Sequence, residues 1–330
     1  MLVVGLNGAG KTNLLESLHV GTQGFSPRTR MDARLVRFGS EAARIVLRGD
    51  RAGSPVDLEI ALRVGEAKRA KLNGAHLQSA EHLRTEIATL VFTPDRLALV
   101  KGGPAARRAY FDRALGRRTP AQAALSAEYG AALAQRNAAL RSVAGGFTSR
   151  ETLRPWTERV SGLGARLVGA RRALIAELEP TFAARADEFG LLEAALRYEG
   201  KPPTAEALDA RLDRDLDRGT TGIGPHLDDV AILAGARDLR AFGSQGEQRL
   251  AVLALLLAEA ELVGDRQGFP PLLLLDDVLS ELDPDRRRIL VERLRFRGQT
   301  LITSTTAGAL PAEPDQLVEV AATDAGTVVR

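Results

Sequence analysis

The chain has 330 residues, 45% hydrophobic and 26% charged, with a net charge of +3, which is enough to bury a large core and hold two lobes. No run of 18 apolar residues occurs, and the opening Met1-Leu2-Val3-Val4 has no basic region or cleavage site, so neither a membrane span nor a signal peptide is expected. The absence of cysteine excludes disulfides, zinc–thiolate sites and thiol catalysis, and a cytoplasmic setting fits best.

Met1 to Val4 leads into a glycine-rich stretch, Gly5-Leu6-Asn7-Gly8-Ala9-Gly10-Lys11-Thr12. Asn13 to Gly21 then continues as a helix with Leu14, Leu15 and Leu18 on one side. Residues 44–72 read as short strands (Ile45–Leu47, Val56–Leu62, Ala70–Leu72), and Asn73-Gly74 is a hairpin signal. Thr89 to Phe92 is a further strand, stopped by Pro94. From Lys101 the texture becomes Ala-, Leu- and Arg-rich helix. Thr119-Pro120 offers an N-cap and a proline at N1, and Leu125, Tyr129, Leu133 and Leu140 mark one face. Gly145-Gly146 breaks that helix. A second starts near Pro155, with Trp156, Val160, Leu163, Leu167, Leu174 and Leu178 on its seam; an antiparallel pair or a plain bundle satisfies this pattern. Helical spacing returns weakly at Leu208, Leu212 and Leu216. Beyond Gly219 the chain turns α/β again: strand Val230–Leu233, a buried helix over 247–263, strand Leu272–Leu275, a helix near 284–296 and strand Thr300–Thr303. An α/β head split by a helical insertion is the economical architecture.

Three motifs carry chemistry. Gly5-x4-Gly10-Lys11-Thr12, after a strand and before a helix, matches a phosphate-binding loop, so Gly5, Leu6, Asn7, Gly8, Ala9, Gly10, Lys11, Thr12 and Asn13 are expected to contact ATP. Lys11 meets the terminal phosphates and is counted as catalytic, and the Thr12 hydroxyl ligates Mg²⁺. Asp276 closes a run of four leucines, where a carboxylate faces the metal. Asp277 is the candidate to polarise the attacking water; a helix cap or a solvated loop is its plainer reading. Ser244-Gln245-Gly246-Glu247 opens the buried helix as a second anion-binding helix start. Taken alone it reads as a simple N-cap. Beside the other two motifs it reads as the half of a nucleotide site that serves a second subunit.

At these residues the sequence resembles the ABC-type ATPase heads of the SMC group, and more closely the RecF family. Ser244 to Glu247 resembles the ABC signature, and Ser280-Glu281-Leu282-Asp283 the D-loop. Phe92-Thr93-Pro94-Asp95, Val100-Lys101-Gly102-Gly103-Pro104, Gln135-Arg136-Asn137-Ala138-Ala139-Leu140, Gly224-Pro225-His226 and Leu272 through Asp283 narrow the likeness to RecF. The resemblance implies an α/β fold, a P-loop ABC/SMC-type ATPase head with a mainly helical second lobe carrying a short antiparallel helix pair. The head is placed at 1–97 and 220–330 and the helical lobe at 98–219. It further implies a slow Mg-dependent ATPase of replication and recombinational repair that dimerises on ATP, acts on single-stranded and gapped DNA, and helps load the recombinase with RecO and RecR. No membrane is involved, and the setting is cytoplasmic and nucleoid-associated.

Three departures from the family stand out. Met1 falls four residues before Gly5, where family members usually carry two further strands, so an N-terminally truncated chain is expected. Leu227 stands where the family usually has Arg. No Gln follows Phe92, where Asp95 is the nearest polar substitute, and Thr303-Ser304-Thr305 occupies the place of the ABC switch histidine.

Weaker signals remain open. Of 45 basic residues, 40 are Arg and five Lys, a bias that codon usage suffices to explain. Arg107-Arg108, Arg113 and Arg117-Arg118 read equally as a DNA-tracking face or a solvated one. Arg286-Arg287-Arg288 suits a subunit interface or solvent. His226 with Asp228 and Asp229 reads as a structural turn more readily than as a metal site. The competing functions are an ABC transporter ATPase subunit, a phosphotransferase, and a nucleotide-gated clamp with negligible turnover.

Overall fold

A computed structural model describes residues 1–29, 31–51, 53–295, 298–323 and 326–329. In chain order the elements begin with β1 (Leu2–Val4), α1 (Lys11–Gln23), β2 (Ala42–Arg51), β3 (Ser54–Arg63), β4 (Arg69–Leu72), β5 (Ala75–His76) and β6 (Thr89–Phe92). There follow α2 (Ala98–Lys101), α3 (Pro104–Arg118), α4 (Leu125–Ala144), α5 (Arg154–Glu188), β7 (Ala194–Glu199), α6 (Ala205–Asp209), α7 (Leu212–Arg218), β8 (Asp229–Ala234), β9 (Arg237–Asp238) and α8 (Leu239–Phe242). The chain ends with α9 (Gln245–Gln267), β10 (Leu272–Leu275), α10 (Pro284–Leu294), β11 (Thr300–Ser304), β12 (Leu317–Thr323) and β13 (Gly326–Val329). Residue 296 of the helix expected near 284–296 lies outside the described residues.

The chain divides into two compact units, Met1–Arg96 with Leu253–Arg330, and Leu97–Val252. The first holds a six-stranded sheet of order β13-β12-β1-β11-β10-β6, parallel except for the β12–β13 hairpin. Strands β1 and β10 are short unbroken apolar runs, as suits a parallel sheet covered on both faces. Parallel pairing puts the ends of β1, β10 and β11 at one edge, where a ligand site in such a sheet forms. The register opposes Val3 to Thr303 and Leu275 to Ile302, so the phosphate-loop strand and the Asp276 strand flank β11. A second, antiparallel sheet, β2-β3-β4-β5, buries alternate residues Leu58, Ile60 and Leu62. Its hairpin turns through Asn73 (φ 49°) and Gly74 (φ 82°), and Asn73 Oδ1 accepts from the Asp57 N–H at 2.8 Å.

The second unit is mainly helical. Arg136 of α4 donates to Thr157 of α5, and a Cβ on Gly164 would stand 3.3 Å from the Tyr129 ring. Advancing along α5 therefore means retreating along α4, and the two run antiparallel. Tyr129, Leu140, Val160, Leu167, Leu174 and Leu178 are buried as their spacing predicts. The helix start expected at Thr119-Pro120 is displaced. Pro120–Gln122 is a single 3₁₀ turn that Thr119 does not cap with its side chain, and α4 begins at Leu125. Thr119 Oγ1 instead accepts from Arg118.

The second unit also extends further than the expected 98–219, to Val252, where α9 passes into the first unit. The cause is β7, a strand the sequence reading does not anticipate. It pairs antiparallel with β8 from Ala194↔Ala234 to Glu199↔Asp229, so Val230–Leu233 joins a three-stranded sheet with β7 and β9 and not the head sheet. Arg197 and Glu199 interrupt the apolar pattern of β7, which hides it from a hydrophobicity reading.

Candidate nucleotide-binding site

The phosphate loop leaves β1 and closes on α1 in the first unit. Gly5 is required by close approach, since a Cβ there would stand 2.3 Å from the Val320 carbonyl oxygen. Gly10 is required twice. Its φ of 103° suits no side chain, and a Cβ would meet Thr327 Oγ1 of β13 at 2.3 Å. Lys11 is 8% exposed, and its ammonium folds back over the loop, donating to Gly5 O at 2.7 Å and Leu6 O at 3.0 Å. An ammonium has three donors, so one remains for a phosphate.

The Thr12 hydroxyl lies 3.1 and 3.0 Å from the two carboxylate oxygens of Asp276, at the end of β10. Asp276 is 6% exposed and also accepts from Thr303 Oγ1 at 2.7 Å. The next residue, Asp277, adopts the left-handed conformation (φ 50°, ψ 28°), a strain of about 1–3 kcal/mol that surrounding contacts must hold. Thr303 and Ser280 supply them. The Asp277 N–H donates to Thr303 Oγ1 at 2.9 Å, and the Ser280 hydroxyl lies 2.9 Å from both the Asp277 carboxylate Oδ2 and its carbonyl oxygen. Asp277 precedes the 3₁₀ turn Val278–Glu281 but makes no side-chain cap bond, which sets aside the helix-cap reading. Asp283 does cap α10, accepting from the Arg286 N–H at 3.0 Å. Asp95 is exposed.

Ser244 to Gly246 belong to the second unit and are exposed at the start of α9. Ser244 and Glu247 form a reciprocal capping box: Ser244 Oγ accepts from the Glu247 N–H at 3.2 Å, and Glu247 Oε2 accepts from the Ser244 N–H at 2.7 Å. The Ser244 N–H, and then Arg237, hold the Glu247 carboxyl below its ordinary range. The plain N-cap reading of this motif therefore describes a real interaction. It uses the serine oxygen only as an acceptor, and the hydroxyl proton stays available.

The remaining RecF-like stretches meet inside the second unit. Arg107, 3% exposed, bonds Asp229 through two nitrogens at 2.6 Å and caps the carbonyls of Val100 and Gly102. Burial pushes the Asp229 carboxyl up, but the Arg107 bonds outweigh it and hold the group low. Arg136 pairs with Asp215 at 3.0 Å and with Thr221, whose hydroxyl donates to Asn137. His226 Nε2 faces the Thr221 carbonyl at 3.1 Å, which assigns the proton to Nε2, so Nδ1 accepts from the Tyr129 hydroxyl at 2.8 Å. Burial, first of all, lowers the pKa of His226. His226 is thus a structural turn residue, and the described residues contain no cluster of three His, Asp or Glu able to hold a metal. Leu227 beside it is 58% exposed. Of the arginines weighed as a DNA-tracking face, Arg107 is buried, Arg108 bonds the Asp228 carbonyl and Arg118 pairs with Glu177.

Thr303 is the residue of this site that sequence reading placed without assigning it a task. Its signals were a hydroxyl at the end of an apolar strand and a position within Thr303-Ser304-Thr305, at the place of the ABC switch histidine, and the partners it joins lie 26 and 27 positions away in sequence.

A phosphate loop and a carboxylate-ended strand on a largely parallel sheet, with a helical second unit, define a P-loop ATPase head. The RecF/RecN/SMC N terminal domain family matches this chain over residues 1–328. A DNA replication and repair protein RecF of Myxococcus xanthus is 40% identical over 327 residues, covering 94% of this chain and 85% of the relative. Its counterpart in Heliobacterium modesticaldum is 36% identical over 332 residues, covering 96% and 88%. The chain belongs to the RecF family. A solved structure of the recombination mediator protein RecF-ATP in the RecFOR pathway superposes with a TM-score of 0.87 at 28% identity, covering 100% of this chain and 91% of that one. An Smc head domain from Pyrococcus furiosus shares the fold, with a TM-score of 0.59 at 16% identity over 100% of this chain and 89% of that one. No helix among the described residues is long and apolar enough to cross a membrane.

Proposed function

We propose that this protein is an ATP-dependent DNA-binding protein of replication and recombinational repair. ATP and Mg²⁺ convert it to a homodimer at single-strand gaps and duplex junctions, where it helps load the recombinase with RecO and RecR. It is a slow ATPase of the cytoplasm, associated with the nucleoid. The observation that carries the reading is the convergence of Lys11, Thr12 and Asp276 on the phosphate loop, on a chain whose exposed Ser244 helix start belongs to a different unit. The relatives' names and the ATP-bound RecF structure support it.

The residues present fit Mg-nucleotide. Thr12 and Asp276 offer hard oxygen donors already in contact, as a small divalent cation requires. Bound Mg²⁺ would offset the negative charge of the β- and γ-phosphates. Gly5 to Thr12 and Asn13 cradle the phosphates with backbone N–H groups, and Lys11 supplies a fixed positive charge beside them. Asp277 orients the attacking water and accepts its proton. Ser244, Gln245, Gly246 and Glu247 cover the γ-phosphate held by the other subunit, with the Ser244 hydroxyl as donor.

Asp277→Asn is expected to keep ATP affinity within about threefold while turnover falls by about 10²–10⁴, because the amide keeps the Ser280 contact but cannot accept a proton. Equal loss of affinity and turnover would move Asp277 from the reaction to the binding of nucleotide.

The test of the shared site is Ser244→Arg. Its long cation obstructs the partner's γ-phosphate but leaves its own phosphate loop intact, so ATP affinity of the monomer should stay within about threefold while the ATP-driven dimer weakens about 100-fold, ~3 kcal/mol. Light scattering with ATP and Mg²⁺, and binding to gapped DNA, read the two arms. A mass that stays monomeric in the unmutated protein at saturating ATP would sink the dimer model. A loss of ATP affinity as deep as that of Lys11→Ala would place Ser244 in its own subunit's site.

A further inference from the structure

We propose that Thr303 is a positioning residue for hydrolysis, fixing Asp277 against the metal-ligand carboxylate Asp276; the proposal rests on the ATPase reading above. Thr303 is wholly buried at the end of β11, the strand between those that carry the phosphate loop and Asp276. Its hydroxyl has one proton. The oxygen receives the Asp277 N–H at 2.9 Å, and Asp276 Oδ1 lies 2.7 Å away as the acceptor for that proton. The direction of the relay is therefore fixed: Asp277 N–H to the Thr303 oxygen, Thr303 O–H to Asp276. With no solvent exposure, no water competes for either bond.

The relay acts where the backbone is least self-supporting. Asp277 holds a left-handed conformation that a non-glycine residue adopts only when its neighbours impose it. Its other contact is the Ser280 hydroxyl, which lies 2.9 Å from both the Asp277 carboxylate Oδ2 and the Asp277 carbonyl oxygen, and Ser280 is itself exposed. The Thr303 bond is thus the buried anchor that sets where the Asp277 carboxylate stands relative to Asp276. A water-orienting group needs such support from a rigid element, and β11 is one.

A plain packing role makes the opposite prediction, which makes the proposal testable. If Thr303 merely filled space, Thr303→Val would be neutral and Thr303→Ser, which loses the methyl group, would be the damaging change. If the hydroxyl positions Asp277, Ser keeps the function and Val loses it. Measured on the full chain, Thr303→Val should lower kcat for ATP by about 10- to 100-fold, the range typical for loss of a group that orients a site residue. Affinity for a fluorescent ATP analogue should stay within about threefold, because the Lys11 and Thr12 contacts are untouched. Thr303→Ser should stay close to the unmutated rate. Hydrogen–deuterium exchange over residues 276–278 gives a second readout independent of turnover: the Asp277 amide should exchange much faster in the Val variant and at the original rate in the Ser variant.

Turnover in Thr303→Ser as low as in Thr303→Val, or unchanged exchange at Asp277 in the Val variant, overturns the proposal. An unmutated protein without ATPase activity would instead overturn the hydrolytic reading itself, and the exchange measurement would then decide whether Thr303 holds Asp277.

Discussion

Lys11→Ala is expected to lower ATP affinity by about 100-fold or more, ~3 kcal/mol or above, because a buried charge-assisted contact to the terminal phosphates is lost with no cation to replace it. The arginine-rich composition cannot compensate, since Lys11 is held by the carbonyls of Gly5 and Leu6, inside the loop itself. The loss should extend to dimerisation and to ATP-stimulated DNA binding, because both depend on bound nucleotide. Titration with a fluorescent ATP analogue reads the affinity directly. Mixing Lys11→Ala with Ser244→Arg should restore at most one working site per heterodimer, made from Lys11 of one chain and Ser244 of the other. Unchanged ATP affinity in Lys11→Ala would remove the phosphate loop from the proposed mechanism.

Asp215→Ala should destabilise the second unit by about 3–5 kcal/mol, because it leaves the Arg136 guanidinium charged and unpaired in the interior. Both side chains of this pair are 0% exposed. Asp215 also accepts from the Gly222 N–H at 3.1 Å, so the mutation frees a second donor. The pair is reinforced by Thr157 and Thr221, which tie α4, α5 and the loop before β8 to one guanidinium. Replacing both partners with apolar residues, as Arg136→Met with Asp215→Leu, should cost less than Asp215→Ala alone, because no buried charge is left. Trp156 is the chain's single tryptophan and sits next to Thr157 on α5, so its fluorescence in a urea titration reports the second unit specifically. A midpoint that does not move in Asp215→Ala would show that the buried pair contributes nothing to this unit.

The two expectations differ in how visible they were beforehand. Lys11, Thr12 and Asp276 were legible because phosphate chemistry constrains residue type and spacing within a few positions: glycines for the turn, one lysine, one hydroxyl, and a carboxylate at the end of an apolar strand. The buried helix after Ser244 and the hairpin at Asn73-Gly74 were legible for the same reason, since each is written in local periodicity or turn chemistry, whereas the periodicity of α4 and α5 fitted an antiparallel pair and a plain bundle alike. Arg136 was quoted only as part of a family-like stretch. Its partner Asp215 lies 79 residues on, in a weakly patterned helix that gives no hint of burial. The same holds for Arg107 and Asp229, which are 122 residues apart.

By itself, then, the sequence determined the phosphate-loop and carboxylate-strand motifs, the main elements around them and the alternation of α/β and helical segments. Those features depend on residues close together in the chain. The tertiary structure decided that residues 220–252 join the helical unit, because β8 finds its partner in β7, a strand whose charged residues disguise it. It decided that the arginines beside Lys101 serve packing as well as charge, because carboxylates and carbonyls distant in sequence close around them. It also gave Thr303 its task. One buried hydroxyl can join two adjacent carboxylate residues only once β11 lies beside β10, and that pairing is made by register across the sheet, which no local pattern records.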